Sequence, residues 1–171
     1  MYDVCSFGEL LIDFTAVKLP GAANLMFERN PGGAPANVAA AVARLGHKSA
    51  FLGKVGDDLF GRFLKETMEE NGVDVSGLRL SKEYNTMLAF VQLSDAGDRS
   101  FSFYRNPSAD MTYDDNDIAG DIIKNSKIFH FGSLTMTNEP VRSATLTMLK
   151  MAKEVGVLVS FDPNLRELLW D

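Results

Sequence analysis

The chain of 171 residues is 46% hydrophobic and 23% charged, the balance of a globular domain long enough to bury a core. Its net charge of −6 comes from interspersed acids and bases with no Lys/Arg stripe, which argues against nucleic acid and anionic membrane as partners. Cys5 is the only cysteine, so a disulfide framework is excluded and a buried thiol in a cytoplasmic protein is expected. The N-terminal MYDVCSFGELLIDF carries Asp3 and Glu9 among its apolar residues and no basic leader, so it reads neither as a signal peptide nor as a membrane span.

In chain order, residues 4–7 form a short apolar run closed by Gly8, and residues 10–14 form a second with Asp13 inside it; both read as strands. Residues 15–31 contain Pro20, Gly21, Asn24, Asn30 and Pro31, the composition of a loop or an irregular edge strand. A helix is predicted over 35–45, opened by Pro35 and ended by Gly46. Its alanines, Ala36, Ala39, Ala40 and Ala43, recur at helical spacing and make a very small face, which lets a helix lie close to what it covers. Residues 50–55 read as a strand, and Asp57 or Asp58 could cap a helix over 59–71, stopped by Gly72. The glycines of GKVGDDLFG (53–61) are taken as strand, turn and cap rather than as a binding loop.

The period then changes. Residues 86–93 and 99–104 are strand-like runs joined by DAGD (95–98), a hairpin signal. Helix, strand, helix and strand follow over 115–125, 127–131, 138–155 and 157–161, with Asn138 as the expected N-cap of the third of these four. Alternating β and α segments with short apolar strands imply a parallel sheet covered on both faces. The hairpin and the 15–31 segment break that rhythm and are expected to project as a small flap. There is no internal repeat and no low-complexity tract. The chain stops at Leu169-Trp170-Asp171, just after a strand, where a further helix would ordinarily cover the sheet.

The stretch NPGGAPANVAAAVARLG (30–46) concentrates the chemistry. Glycines let backbone pass close to a ligand, and the first turn of a helix offers unpaired N–H groups. No Gly-Lys-Ser/Thr follows, so this is not a P-loop, and it is not GxGxxG. Pro35 removes a donor that a phosphate would use, whereas the Asn37 amide both donates and accepts; a polyol suits such a site better than a phosphate. Asp13, at a strand end beside the glycine pair, would accept from two adjacent hydroxyls. DPNLR (162–166) follows a strand directly, where open α/β sheets bind ligands, and would present Asp162, Asn164 and Arg166 to one side, Arg166 suiting a phosphate. Arg105 ends FSFYRN on the second flap strand. His130, in the apolar KIFHFG, reads as a core histidine. Neither a metal-ligand spacing nor a Ser-His-Asp arrangement is present.

The spacing from Gly32-Gly33 through Pro35, Asn37 and Ala39 to Gly46 and Gly56 resembles the N-terminal signature of the PfkB (ribokinase-like) sugar kinases. GELLIDF, VGDDLFG, SFSFYRNPSADM, IFHFGS and SFDPNLR are similar to the bacterial and plant fructokinase branch, so the resemblance covers the whole chain. It implies a doubly wound, mostly parallel α/β sheet flanked by helices, with a small β-sheet lid built from segments about 14–31 and 84–106. It also implies transfer of the ATP γ-phosphate, with Mg2+, to the 6-hydroxyl of D-fructose. Carried over by position, Asp13, Gly32, Gly33 and Asn37 would bind sugar hydroxyls, and the hairpin around Phe103 and Arg105 would close over the ligand. Asp162, Asn164 and Arg166 would line the junction between sugar and phosphate. Pairing of two copies through the lid sheet is a further implication.

Two family stretches are missing from the sequence. One is a GAGD stretch whose glycines form an anion hole and whose Asp is the base; the other is an NxxE stretch associated with the magnesium-bound phosphates. The 171 residues are therefore expected to be the sugar-binding part, inactive alone, with no catalytic residue of their own. A kinase for 2-keto-3-deoxygluconate is the alternative within the family, with Arg105 serving the acid's carboxylate and Phe103 standing where that branch would have tyrosine. A non-catalytic sugar-binding or regulatory module is the alternative of another class.

Overall fold

The computed structural model describes residues 1–17, 21, 24–93 and 99–170. Five strands, β1 (Tyr2–Phe7), β4 (Ser49–Gly56), β5 (Asp74–Ser81), β8 (Ser126–Gly132) and β9 (Leu158–Asp162), form a sheet ordered β5-β4-β1-β8-β9. Every pairing in it is parallel. Parallel neighbours need crossovers, and right-handed crossovers from a strand to either side place helices on opposite faces. Thus α1 (Ala34–Arg44) and α2 (Leu59–Glu70) cover one face, and α3 (Gly120–Lys124) and α4 (Val141–Glu154) cover the other.

Strand alternation sorts the core between these faces. Cys5, Phe7, Phe129 and Phe131 pack with Ile123, Met148 and Tyr113, while Phe51 and Val55 pack with Ala36, Ala39, Leu64 and Met68. The small alanine face of α1 behaves as its spacing predicts. Ser6 Oγ donates to Pro35 O at 2.7 Å and Ser49 Oγ donates to Ala39 O at 2.8 Å, contacts that require strand and helix backbones to lie close.

A second sheet holds β2 (Leu11–Val17), β3 (Met26–Gly32), β6 (Leu88–Leu93) and β7 (Arg99–Tyr104) in the order β3-β2-β6-β7. The outer pairs are antiparallel and the β2–β6 pair is parallel. This is the flap foreseen from the broken rhythm. The DAGD turn lies outside the described residues, but the strands it joins pair as a hairpin would, with Leu88 opposite Tyr104 and Leu93 opposite Arg99.

Four boundaries differ from the sequence reading. Residues 26–32 are a regular edge strand, because β2 supplies a full antiparallel ladder and Pro31 is tolerated at an edge. Strand β5 was not foreseen: its DVSGLRLS mixes charge and glycine because it is the outer strand of the large sheet, with Ser76 exposed. The helix expected over 115–125 is two pieces, a 3-10 turn at Asp115–Asp117 closed by reciprocal Asp114–Asp117 capping, then the short α3. Helix α4 starts at Val141, and Glu139 Oε2 accepts from Ser143 N, while the Asn138 amide donates to Met111 O and Glu139 O instead of capping.

The VGDDLFG segment is structural, as read. Asp58 Oδ1 accepts from Phe60 N at 3.0 Å and Gly61 N at 2.8 Å, capping α2. The same carboxylate accepts from Thr86 N and Thr86 Oγ1, both at 2.8 Å, which ties the entry of β6 to the large domain. Burial works to raise the Asp58 carboxyl, but these donors outweigh it and hold the group below its ordinary range. Asp58→Ala is expected to cost about 1–3 kcal/mol in urea unfolding at neutral pH. The stabilisation is present above the unfolded carboxyl value and is lost as pH falls through the lower folded one; a variant as stable as the parent at pH 7 would refute the anchoring role.

Candidate functional site

The C-terminal ends of β1 and β8 lie side by side, and chain order reverses there, β1 leading to β4 on one side and β8 to β9 on the other. Such a switch point is where open α/β sheets bind ligands. Helix α1 begins directly on it. A Cβ on Gly8 would overlap the Pro35 ring, and one on Gly132 would come within 3.1 Å of Pro35 Cγ.

The glycine pair completes this seat. Gly33 has φ 114°, a conformation that strains any other residue, and a Cβ there would overlap Glu9 O. At Gly32 a Cβ would occupy the space of Asp13 Oδ2. The two glycines therefore do different work, one letting the chain cross behind β1 and the other making room for a carboxylate.

The inner face of the flap sheet stands over the seat. Across its four strands one row reads Asn30, Asp13, Ala89, Phe103. Between the flap and the α1 N-terminus is a cleft of about 150 Å³. Its polar lining includes Glu9, Asp13, Gly33, Asn37, Asn164 and Arg166, and its apolar wall includes Leu11, Met87, Phe101, Phe103 and Leu134. Phe101 and Phe103 stack with ring centroids 5.8 Å apart. Few convergent polar groups against an apolar wall are typical of a small-molecule site.

Asp13 is half-buried. Burial raises its carboxyl, and the positive charge of Arg166 opposes that. Asn37 is exposed and its side chain makes no hydrogen bond within the described chain, leaving the amide open to the cleft. Asn164 has φ 35°, the left-handed region that Asn tolerates better than most residues, and this aims the loop after β9 back toward the cleft.

Six of the nine expected positions, Asp13, Gly33, Asn37, Phe103, Asn164 and Arg166, line the one cleft, and Gly32 lies beneath Asp13. Two positions do not join them. Asp162 is exposed outside the lining, and its Oδ1 accepts from Asn164 N at 3.1 Å; it shapes the turn instead of facing the same side as Asn164 and Arg166. Arg105 is buried, with its guanidinium committed to Asp110, Thr137 and Leu134.

Glu9 was missed as a site residue. It follows β1, is only 6% exposed, and its Oε1 accepts from Ala34 N at 2.9 Å at the start of α1. Its Oε2 is buried without a partner. A carboxylate between Gly8 and an apolar run was the available signal.

The whole chain, residues 1–171, matches the pfkB family carbohydrate kinase family, and it belongs to that family. It is 51% identical over 171 residues to a fructokinase of Solanum tuberosum, covering 98% of this chain and 53% of that protein. Among solved structures, the fructokinase of Xylella fastidiosa with bound ATP superimposes with TM-score 0.93 at 40% identity, over 100% of this chain and 55% of that one. The fructokinase of Vibrio cholerae in fructose, ADP and calcium ion bound form superimposes with TM-score 0.84 at 39% identity, over 98% and 52%. The chain spans about half the length of the curated relatives it matches.

The Glu9 carboxyl is pushed up to about 7, first by burial and further by Asp110, against the lowering effect of the Ala34 amide and Arg105. The folded protein therefore holds a proton that the unfolded chain, with its ordinary value of 4.5, has released. Stability from this group is full below the unfolded value and is lost as pH rises through the folded one. Unfolding free energies from urea titrations at pH 5 and pH 8 should fall less for Glu9→Gln than for the parent, by an amount on the order of 2–3 kcal/mol. Equal changes in both proteins would show that Glu9 titrates normally.

Proposed function

We propose that this chain is the sugar-binding part of an ATP-dependent kinase that phosphorylates D-fructose to fructose 6-phosphate. The observation that carries the reading is the convergence of Asp13, Asn37, Asn164 and Arg166 on one cleft at the switch point, under a β-sheet lid. The fructokinase relatives and the fructose-bound neighbour support the choice of sugar.

In this reading Asp13 accepts from adjacent sugar hydroxyls in the space that Gly32 leaves, and the Asn37 amide donates to and accepts from a further pair. The Gly33 segment lets the α1 N-terminus approach the sugar, and Phe103 covers its apolar face. Arg166, the lining cation, holds the phosphate at the junction, with Asn164 orienting the loop. Phosphoryl transfer also needs a group to take the hydroxyl proton and donors for the developing charge. We assign those, together with most of the ATP site, to a segment outside the 171 residues, in keeping with the chain spanning about half of its relatives. ATP would bring Mg2+ on its phosphates; among the described residues there is no cluster of three acidic, His or Cys side chains to hold a metal alone.

No helix among the described residues is long and apolar enough to cross a membrane, and a cytoplasmic location is part of the proposal. So is a dimer through the lid. The face of the flap sheet away from the cleft gathers Phe14, Phe27 and Tyr104 around Phe90, with centroid distances of 5.0–5.4 Å, and Phe14 at its inner end packs on Phe60 of α2. Phe27 and Tyr104 in that group are 38% and 63% exposed.

Two measurements test this. Fructose-dependent ADP release by the full-length protein should fall at least tenfold in kcat/KM for Asp13→Asn, as expected for losing a charge-assisted hydrogen bond of about 1.5–3 kcal/mol, whereas the 171 residues alone should release no ADP above a protein-free blank. An Asp13→Asn enzyme with parental kinetics would remove Asp13 from the sugar site. Sedimentation of the full-length protein should give a dimer mass, and a monomer at high micromolar concentration would end the lid-pairing proposal.

A further inference from the structure

Arg105 follows the last residue of β7 directly, and continuing the register that sets Leu88 opposite Tyr104 places it beside Met87, which lines the cleft, while Arg105 itself borders the recess behind Phe103. Phe103, two residues before it, and Leu134, whose carbonyl accepts from Arg105 Nη2 at 3.1 Å, both line the cleft. A guanidinium in this place would be the natural partner of a carboxylate on the ligand. It is not free. Arg105 Nε donates to Asp110 Oδ2 at 2.7 Å, and Nη1 donates to Thr137 Oγ1 at 2.9 Å.

The two side chains of the ion pair are 4% and 5% exposed. Asp110 is itself held, since its Oδ1 accepts from Ser108 Oγ and the preceding residue, Ala109, donates its N–H to Asn85 O at 2.9 Å. All three arms of the guanidinium thus have partners inside the protein, and the pair presents no net positive charge to the cleft.

We propose that Asp110 is a specificity-determining residue: by sequestering Arg105 in a buried ion pair it withholds the cation that a sugar acid would need, and the cleft selects an uncharged polyol. The inference rests on the sugar-site reading above and deepens it by excluding aldonic and 2-keto-aldonic acids from that site. Arg166 remains as a lining cation, but its charge already acts on the Asp13 carboxyl, and in the reading above it serves the phosphate.

The test is binding of 2-keto-3-deoxygluconate and of D-fructose to the full-length protein and to its Asp110→Asn and Asp110→Ser variants, by titration calorimetry. The parent is expected to bind the acid at least tenfold more weakly than fructose, and the variants to gain at least tenfold in affinity for the acid with fructose affinity changed less. Addition of Arg105→Met to either variant should remove the gain, which separates a released guanidinium from a loosened fold. A parent that binds the acid as well as fructose overturns the proposal whether or not the variants fold. So does a folded variant with no gain, or a gain that survives Arg105→Met. Failure of the fructose reading shows separately, as a parent that does not bind fructose, because the gain for the acid is read without it.

Discussion

The contact on which the rest depends is the approach of the α1 N-terminus to the ends of β1 and β8. Pro35 sits where a side chain on Gly8 would be and crowds the place of one on Gly132, and Gly33 passes where a side chain would strike the Glu9 carbonyl. Protein interiors at native density have no slack for an extra methyl in such a place. The alanine face of α1 and the serine hydroxyls of β1 and β4 that reach its carbonyls belong to the same constraint. Because the helix is seated this deeply, its first turn forms the floor of the cleft instead of shielding it.

The lid follows from that seat. Strand β2 leaves β1 after Glu9, β3 returns into Gly32-Gly33, and so the flap is hinged on the residues that hold α1 down. Its second attachment is Asp58, which accepts from Thr86 before β6 while capping α2. A third lies after β7, where Arg105 is fixed to the turn following β8 through Leu134 and Thr137. All three ties end in the large domain close to the C-terminal strand ends, and Ile12, Phe14 and Leu88 of the flap pack into the apolar layer beneath α1 and α2, so the flap is both tied to the large domain and packed on it.

Much of this was legible from residues alone, and what was not had physical causes. Central strands announced themselves as apolar runs because both faces are covered, and the glycine pair with Pro35 and Asn37 pointed to the site because no buried helix needs them. The edges were harder. Strands β3 and β5 have solvent on one side, so their sequences carry the charge, proline and glycine that also mark loops. Partners at a distance were harder still. Arg105 read as a lid residue facing the sugar because nothing in FSFYRN shows that Asp110, five residues later, returns through a 3-10 turn to take its Nε. Asp162 seemed to share a face with Asn164 and Arg166 because strand alternation was carried past the end of β9, where its carboxylate closes a turn on Asn164 and breaks the period.

The charges left in the cleft are arranged along its length. Glu9 and Asp13 lie on the side of the glycine seat, one nearly sealed from water and the other half so, and Arg166 lies on the loop after β9. Burial makes both carboxylates reluctant to ionise, so each gains more from a donor hydroxyl than an exposed carboxylate would, because less bulk water competes for the bond. A ligand that brings hydroxyls to that side and develops negative charge at the other fits the polarity, and one with the reverse order does not. Removing Arg105 from the cleft by internal pairing preserves this order, since a second cation near Phe103 would place positive charge at the wall of the hydroxyl-binding side. The ion pair between Arg105 and Asp110 can thus be read as part of the electrostatic design of the cleft, although neither residue faces the ligand.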